Sequence, residues 1–132
     1  MHSKTILLVD DEPQVRRLVK RVLARRHYRV LEASDGVDAL NVWQQLEIPP
    51  DLLLTDVVMP RMDGVELADR LWSSSPGLAV LYMSGRCDAD VLERDILKRG
   101  FGFIGKPFRI ETLVQKVAER LYTEPACRAI NF

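Results

Sequence analysis

Short apolar runs alternate with amphipathic helical patterns five times along this chain, and that order leaves few folds open to it. The first run, Thr5-Ile6-Leu7-Leu8-Val9, is apolar throughout, as a strand covered on both faces must be. After it, Asp11 or Glu12 can cap a helix with Pro13 in its first turn, and Val15, Leu18, Val19, Val22 and Leu23 form one stripe facing a sheet. Tyr28 to Glu32 reads as a second strand. Ser34-Asp35-Gly36 then opens a helix with Val37, Leu40 and Trp43 on one face, broken by Pro49-Pro50. The third strand runs from Asp51 to Thr55 and ends in Asp56. A loop from Val57 to Asp63 leads into a helix with Val65, Ala68, Leu71 and Trp72 inward, and Ser73 to Gly77 is turn material. Leu78 to Met83 is the fourth strand. Asp88 or Asp90 can cap the helix after it, which runs to Arg99 with Gly100 as its stop signal. Phe101 to Ile104 is the fifth strand, and Ile110, Leu113, Val114, Val117 and Leu121 mark the last helix.

Strands linked by helices, without hairpin signals between them, imply an α/β sandwich: a parallel sheet with helices on both faces. At 132 residues the chain holds one such domain, expected over 1–122, and the unpatterned tail 123–132 is expected to be flexible. Its 19 basic and 19 acidic side chains cancel, so no overall field draws it to nucleic acid or to an anionic membrane. Cys87 and Cys127 make neither a disulfide framework nor a metal-ligand spacing, and two reduced thiols suit the cytoplasm. No run approaches the ~18 apolar residues of a membrane span, and the opening run is too short for a secretory leader. The expected location is therefore cytoplasmic.

In an open parallel sheet, ligands bind beyond the carboxyl ends of the strands. Asp10 and Asp11 follow the first strand, Asp56 closes the third, Ser84 follows the fourth, and Lys106-Pro107 follows the fifth. Each has an ordinary reading alone: a strand-end aspartate caps a helix, and a loop serine or lysine is solvated. Together they put three carboxylates, a hydroxyl and an ammonium on one rim. Clustered carboxylates repel one another unless something positive lies between them. Mg²⁺ suits such a site, because it takes oxygen ligands from one or two carboxylates and a phosphate. Lys106 supplies a second cation and Ser84 a hydrogen bond. The chemistry that fits is transfer of a phosphoryl group onto a carboxylate, driven by positioning and electrostatics.

Four stretches carry a family resemblance: Ile6-Leu7-Leu8-Val9-Asp10-Asp11-Glu12, Leu54 through Gly64, Met83-Ser84-Gly85, and Gly105-Lys106-Pro107-Phe108. With them the chain resembles the receiver domain of two-component response regulators. The resemblance implies a flavodoxin-like (βα)5 fold with strand order 2-1-3-4-5. It implies Asp56 as phosphoacceptor, with Mg²⁺ held by Asp11 and Asp56, by Asp10 through water, and by the backbone carbonyl of Val58. Lys106 is then the phosphoryl's counter-ion, the Lys106–Pro107 bond is cis, and Ser84 moves toward the phosphoryl group. Phe103 takes the switch position, where many relatives carry a tyrosine. The implied donors are a sensor histidine kinase or a histidine phosphotransfer protein, and the surface from Val91 to Leu121 would face an unidentified output partner. Direct binding to nucleic acid or membrane is not expected, nor is more than a weak dimer.

Other expectations concern tuning and partner choice. Val58, two residues after Asp56, offers no polar group to orient water, so a long-lived phosphorylated state is expected. Arg86 is placed to reach the phosphoryl region, and Cys87 reads as an inert loop thiol. The first helix carries Arg16, Arg17, Lys20, Arg21, Arg25 and Arg26, and Gln14, Leu18 and Arg21 match the edge on which relatives dock the phosphohistidine donor. A phosphatase of the haloacid-dehalogenase kind also forms an aspartyl phosphate, but it needs a second acid where Val58 stands. The chain is therefore expected to catalyse only its own phosphorylation and dephosphorylation. A free-standing regulator, a phosphorelay step and a piece of a hybrid kinase all remain open.

Overall fold

A computed structural model describes residues 3–85 and 88–122. Its elements follow the expected order: β1 Thr5–Val9, α1 Pro13–Ala24, β2 Arg29–Ala33, α2 Gly36–Gln44, β3 Leu52–Asp56, α3 Gly64–Ser74 and β4 Ala79–Ser84. Then come α4 Ala89–Val91, continued by a π-helical segment Leu92–Lys98, β5 Gly102–Gly105 and α5 Ile110–Tyr122. The described residues form one parallel sheet in the order β2-β1-β3-β4-β5, as the resemblance implied. No helix among them is long and apolar enough to cross a membrane. Arg86, Cys87 and residues 123–132, with Cys127 among them, lie outside the described residues, and so do the expectations placed on them.

Alternation along each strand divides the core in two. Leu7, Val9, Leu53, Val80 and Tyr82 turn to one face, against Leu67, Ala68 and Leu71 of α3 and Ala39 of α2. Ile6, Leu8, Leu52, Leu54, Leu81 and Met83 turn to the other, against Val19 and Leu23 of α1 and Leu113, Val117 and Leu121 of α5. Both faces of β1, β3 and β4 are buried, which is why those strands read as unbroken apolar runs.

Several boundaries and faces differ from expectation. Strands β2 to β5 each begin one residue later than their apolar pattern does. Leu78 and Phe101 are buried as the chain enters the sheet, one residue before the ladder forms, so burial starts before strand pairing. Leu18 is 48% exposed and leaves the α1 stripe, while Leu67, absent from the expected α3 face, is fully buried. Glu12 occupies the N-cap position of α1 without a side-chain cap bond; Asp10 Oδ1 accepts its N–H at 2.9 Å instead. Helix α2 ends at Gln44, before the prolines that were expected to break it. The fourth helix widens into a π turn, with the Arg99 N–H reaching back to the Arg94 carbonyl at 3.2 Å.

Candidate functional site

Strand register brings the expected residues to one rim. Val9 pairs with Thr55, Asp56 with Met83, and Ser84 with Gly105, so the residues after β1, β3, β4 and β5 emerge side by side. The rim encloses a pocket of about 590 Å³ lined by Asp11, Glu12, Asp56, Val58, Ser84, Gly85 and Lys106. Asp10 is fully buried, Asp56 is nearly so, and Asp11 is exposed. One ligand oxygen from each of Asp10, Asp11 and Asp56 lies within 4.8 Å of the others.

A single ammonium joins the buried pair. Lys106 Nζ donates to Asp10 Oδ2 and to Asp56 Oδ2, both at 2.9 Å, and to Glu12 Oε1 at 3.4 Å. The remaining oxygens find backbone donors: Glu12 N–H on Asp10 Oδ1 and, at 3.3 Å, Val58 N–H on Asp56 Oδ1. Burial raises the pKa of the Asp10 carboxyl, and the Glu12 N–H and Lys106 ammonium offset it only in part. Burial alone would lower the pKa of Lys106. The hydrogen bonds and charges of Asp56 and Asp10 outweigh that and hold it above its ordinary value. Lys106 shifts upward because two carboxylates face its one ammonium, and Asp10 shifts upward because burial outweighs what that shared ammonium returns. The pocket is short of positive charge.

The backbone around Asp56 is built for close approach. A Cβ at Gly64 would overlap the Asp56 carbonyl oxygen, and Gly64 N–H donates to the Val57 carbonyl at 2.7 Å. The Lys106–Pro107 peptide is cis. Val58 is 65% exposed, its apolar side chain at the pocket mouth. Phe103 is half-buried on β5 opposite Tyr82 and does not line the pocket. Gln14, Leu18 and Arg21 lie exposed along α1. Reasoning from sequence took Glu12 only as a helix cap, yet it contacts Lys106; its position directly after Asp10-Asp11 was the available signal.

The donor set is all oxygen, with more negative charge than its lysine balances, and it suits a hard divalent cation. Residues 6–118 match the model of the response regulator receiver domain family. The chain belongs to that family. This receiver is 39% identical over 120 residues to the sensor kinase CckA of Brucella abortus, an alignment covering 90% of the chain and 13% of the kinase. It is 36% identical over 137 residues to the response regulator GtcR of Aneurinibacillus migulanus, covering 98% of the chain and 54% of that protein. With the response regulator receiver protein CpdR of Brucella abortus it shares 34% over 118 residues, 89% of the chain and 97% of CpdR. Among solved structures, the receiver domain of the hybrid histidine kinase CckA superposes with a TM-score of 0.73 at 35% identity, covering 89% of this chain and 98% of that one. The chemotaxis protein CheY4 of Vibrio cholerae gives 0.78 at 27%, covering 91% of this chain and all of its own. The receiver thus spans a small part of one relative, half of another and nearly all of a third.

Proposed function

We propose that this receiver takes a phosphoryl group onto Asp56 from a sensor histidine kinase or a histidine phosphotransfer protein. The observation that carries the reading is the Lys106 ammonium placed 2.9 Å from both Asp56 and Asp10 at an open pocket. An Asp56 oxygen attacks the phosphorus, the bond from phosphorus to the donor's imidazole nitrogen breaks, and the imidazole leaves with its electron pair. Asp11, Asp56 and the Val58 carbonyl would hold Mg²⁺ directly, and Asp10 through water. When bound, the ion neutralises charge on the transferring oxygens. Lys106 does the same from the protein side, and the Ser84 hydroxyl donates to a phosphoryl oxygen.

Phosphorylation then biases the packing of β4, β5 and the fourth helix, and a partner on the Val91 to Leu121 surface reads the result. The exposed Gln14, Leu18 and Arg21 form the docking edge for the donor, with exposed Arg17 steering approach. Charge reversal at Arg17 and Arg21 should slow transfer from the phosphohistidine donor, and an unchanged rate would remove this edge from the interface. Because Val58 presents only methyl groups to the pocket mouth, hydrolysis of the phosphorylated form is slow. A half-life of only a few seconds with Mg²⁺ would contradict that.

The deciding experiment is intact mass after treatment with acetyl phosphate and Mg²⁺. Wild type should gain one phosphoryl group and Asp56→Asn none. No gain in either would favour a module that binds partners without being phosphorylated.

A further inference from the structure

The loop between β3 and α3, residues 57–63, carries the Val58 carbonyl, and loop backbone needs a support to present one oxygen at a fixed point. That support comes from the start of α2, which packs on the same face of the sheet as α3. Arg61 Nε donates to Asp35 Oδ2 at 2.7 Å and its NH2 group donates to Oδ1 at 2.9 Å, a two-point fork across 26 residues of sequence. Asp35 is itself anchored: its side chain is 7% exposed, and it accepts the Asp38 N–H at 2.9 Å as the N-cap of α2. The Arg61 guanidinium holds the Asp35 carboxyl below the usual carboxylate range.

Two further observations show the loop pressed into place. Arg61 has φ of 67°, a left-handed conformation that a long side chain adopts only when its surroundings impose it. The next residue, Met62, is buried against Gly36, where a Cβ would come within 2.7 Å of Met62 Cγ and 2.8 Å of its carbonyl oxygen. The fork and this close packing pin the same loop to the same helix turn.

We infer that Arg61 and Asp35 form a brace that sets where the loop presents the Val58 carbonyl, making both positioning residues for the metal site. The inference rests on the proposed reading of Val58 as a ligand, and its test separates the two. In the metal-free chain, amide hydrogen exchange at Met62 and Gly64 should quicken at least about tenfold in Arg61→Ala. Unchanged exchange overturns the brace whatever the metal does. Mg²⁺ affinity, followed by calorimetric titration, should fall about tenfold or more in Arg61→Ala and in Asp35→Asn, which keeps a capping oxygen.

Charge alone predicts something different. Loss of a cation at Arg61 would tighten binding of a dication, and loss of an anion at position 35 would weaken it. A fall in both variants therefore reports geometry, whereas tighter or unchanged binding in Arg61→Ala overturns the positioning role. Arg61→Lys, with charge but no fork, should recover less than full affinity. Wild type without measurable Mg²⁺ binding, or Asp11→Asn binding as wild type does, would sink the metal reading and the positioning role with it; the exchange result would still decide the brace.

Discussion

Two aspartates among the described residues are fully buried, and their surroundings are opposite in kind. Asp10 shares one ammonium with Asp56 and Glu12, beside exposed Asp11, and the residues around it line an open pocket. Asp95, in the π-helical segment, lies against the face of β4 that carries Tyr82. It accepts the Tyr82 hydroxyl at 2.6 Å and Arg94 Nε at 2.7 Å, with the Arg99 guanidinium 3.5 Å away. Both arginines also pair with Asp69 of α3, Arg94 at 3.3 Å, and Arg99 stacks over the Trp72 ring with its carbon 4.9 Å from the centroid. Burial and the Asp95 hydrogen bond push the pKa of Tyr82 far up, so the phenol stays a donor.

In the second cluster two carboxylates meet two guanidinium groups and a hydroxyl, and the charges close. In the first, one ammonium meets the carboxylates of Asp10, Asp56 and Glu12, with that of Asp11 close by. A balanced cluster around one buried acid ties elements together, here β4, α3 and the fourth helix, whereas an unbalanced one stores a demand for a ligand.

The largest test of that contrast is Asp95→Ala, which strands the Tyr82 hydroxyl and leaves both arginines only Asp69. It should cost about 3 kcal/mol in urea denaturation. Metal-free Asp11→Asn should stay within about 0.5 kcal/mol of wild type, and equal losses would erase the distinction. Next, Mg²⁺ at a hundredfold excess over its dissociation constant should stabilise wild type by about 2.7 kcal/mol in thermal melts. It should do nothing for Asp11→Asn, and a variant at Tyr82 should keep the full gain. Tyr82→Phe removes one hydroxyl donor while Asp95 keeps its arginines, and should cost only about 1–2 kcal/mol.

The smallest effect concerns pH. Asp10 has a folded pKa above its unfolded one, so its contribution to stability is complete below about pH 4 and is lost as pH rises through the folded value. Metal-free Asp10→Asn should therefore be at least as stable as wild type at neutral pH, with the gap closing on acidification. A gap that widens toward low pH would mean that the pocket is not short of positive charge.

Much of the carboxylate rim was legible in the sequence, because strand-end positions are local. Asp10 and Asp11 follow an apolar run, Asp56 closes another, and a parallel sheet must bring such ends together. The charged ties were not legible in the same way. Asp95 and Tyr82 are 13 residues apart, Asp35 and Arg61 26, and Asp69 and Arg99 30. An aspartate on a helix reads as a solvated or capping residue until the rotation of that helix is known, and one residue of rotation moves a side chain by about 100°. Asp95 was missed for that reason, and Leu18 was placed on the wrong face for the same one.

The chain's own order of residues determined the layers, the strand sequence along the chain and the carboxylate rim, since each follows from hydrophobic period and from what a strand end can present. Tertiary structure decided which charges meet. Partner choice depends on distances of a few ångströms between elements far apart in sequence, and no local pattern encodes them.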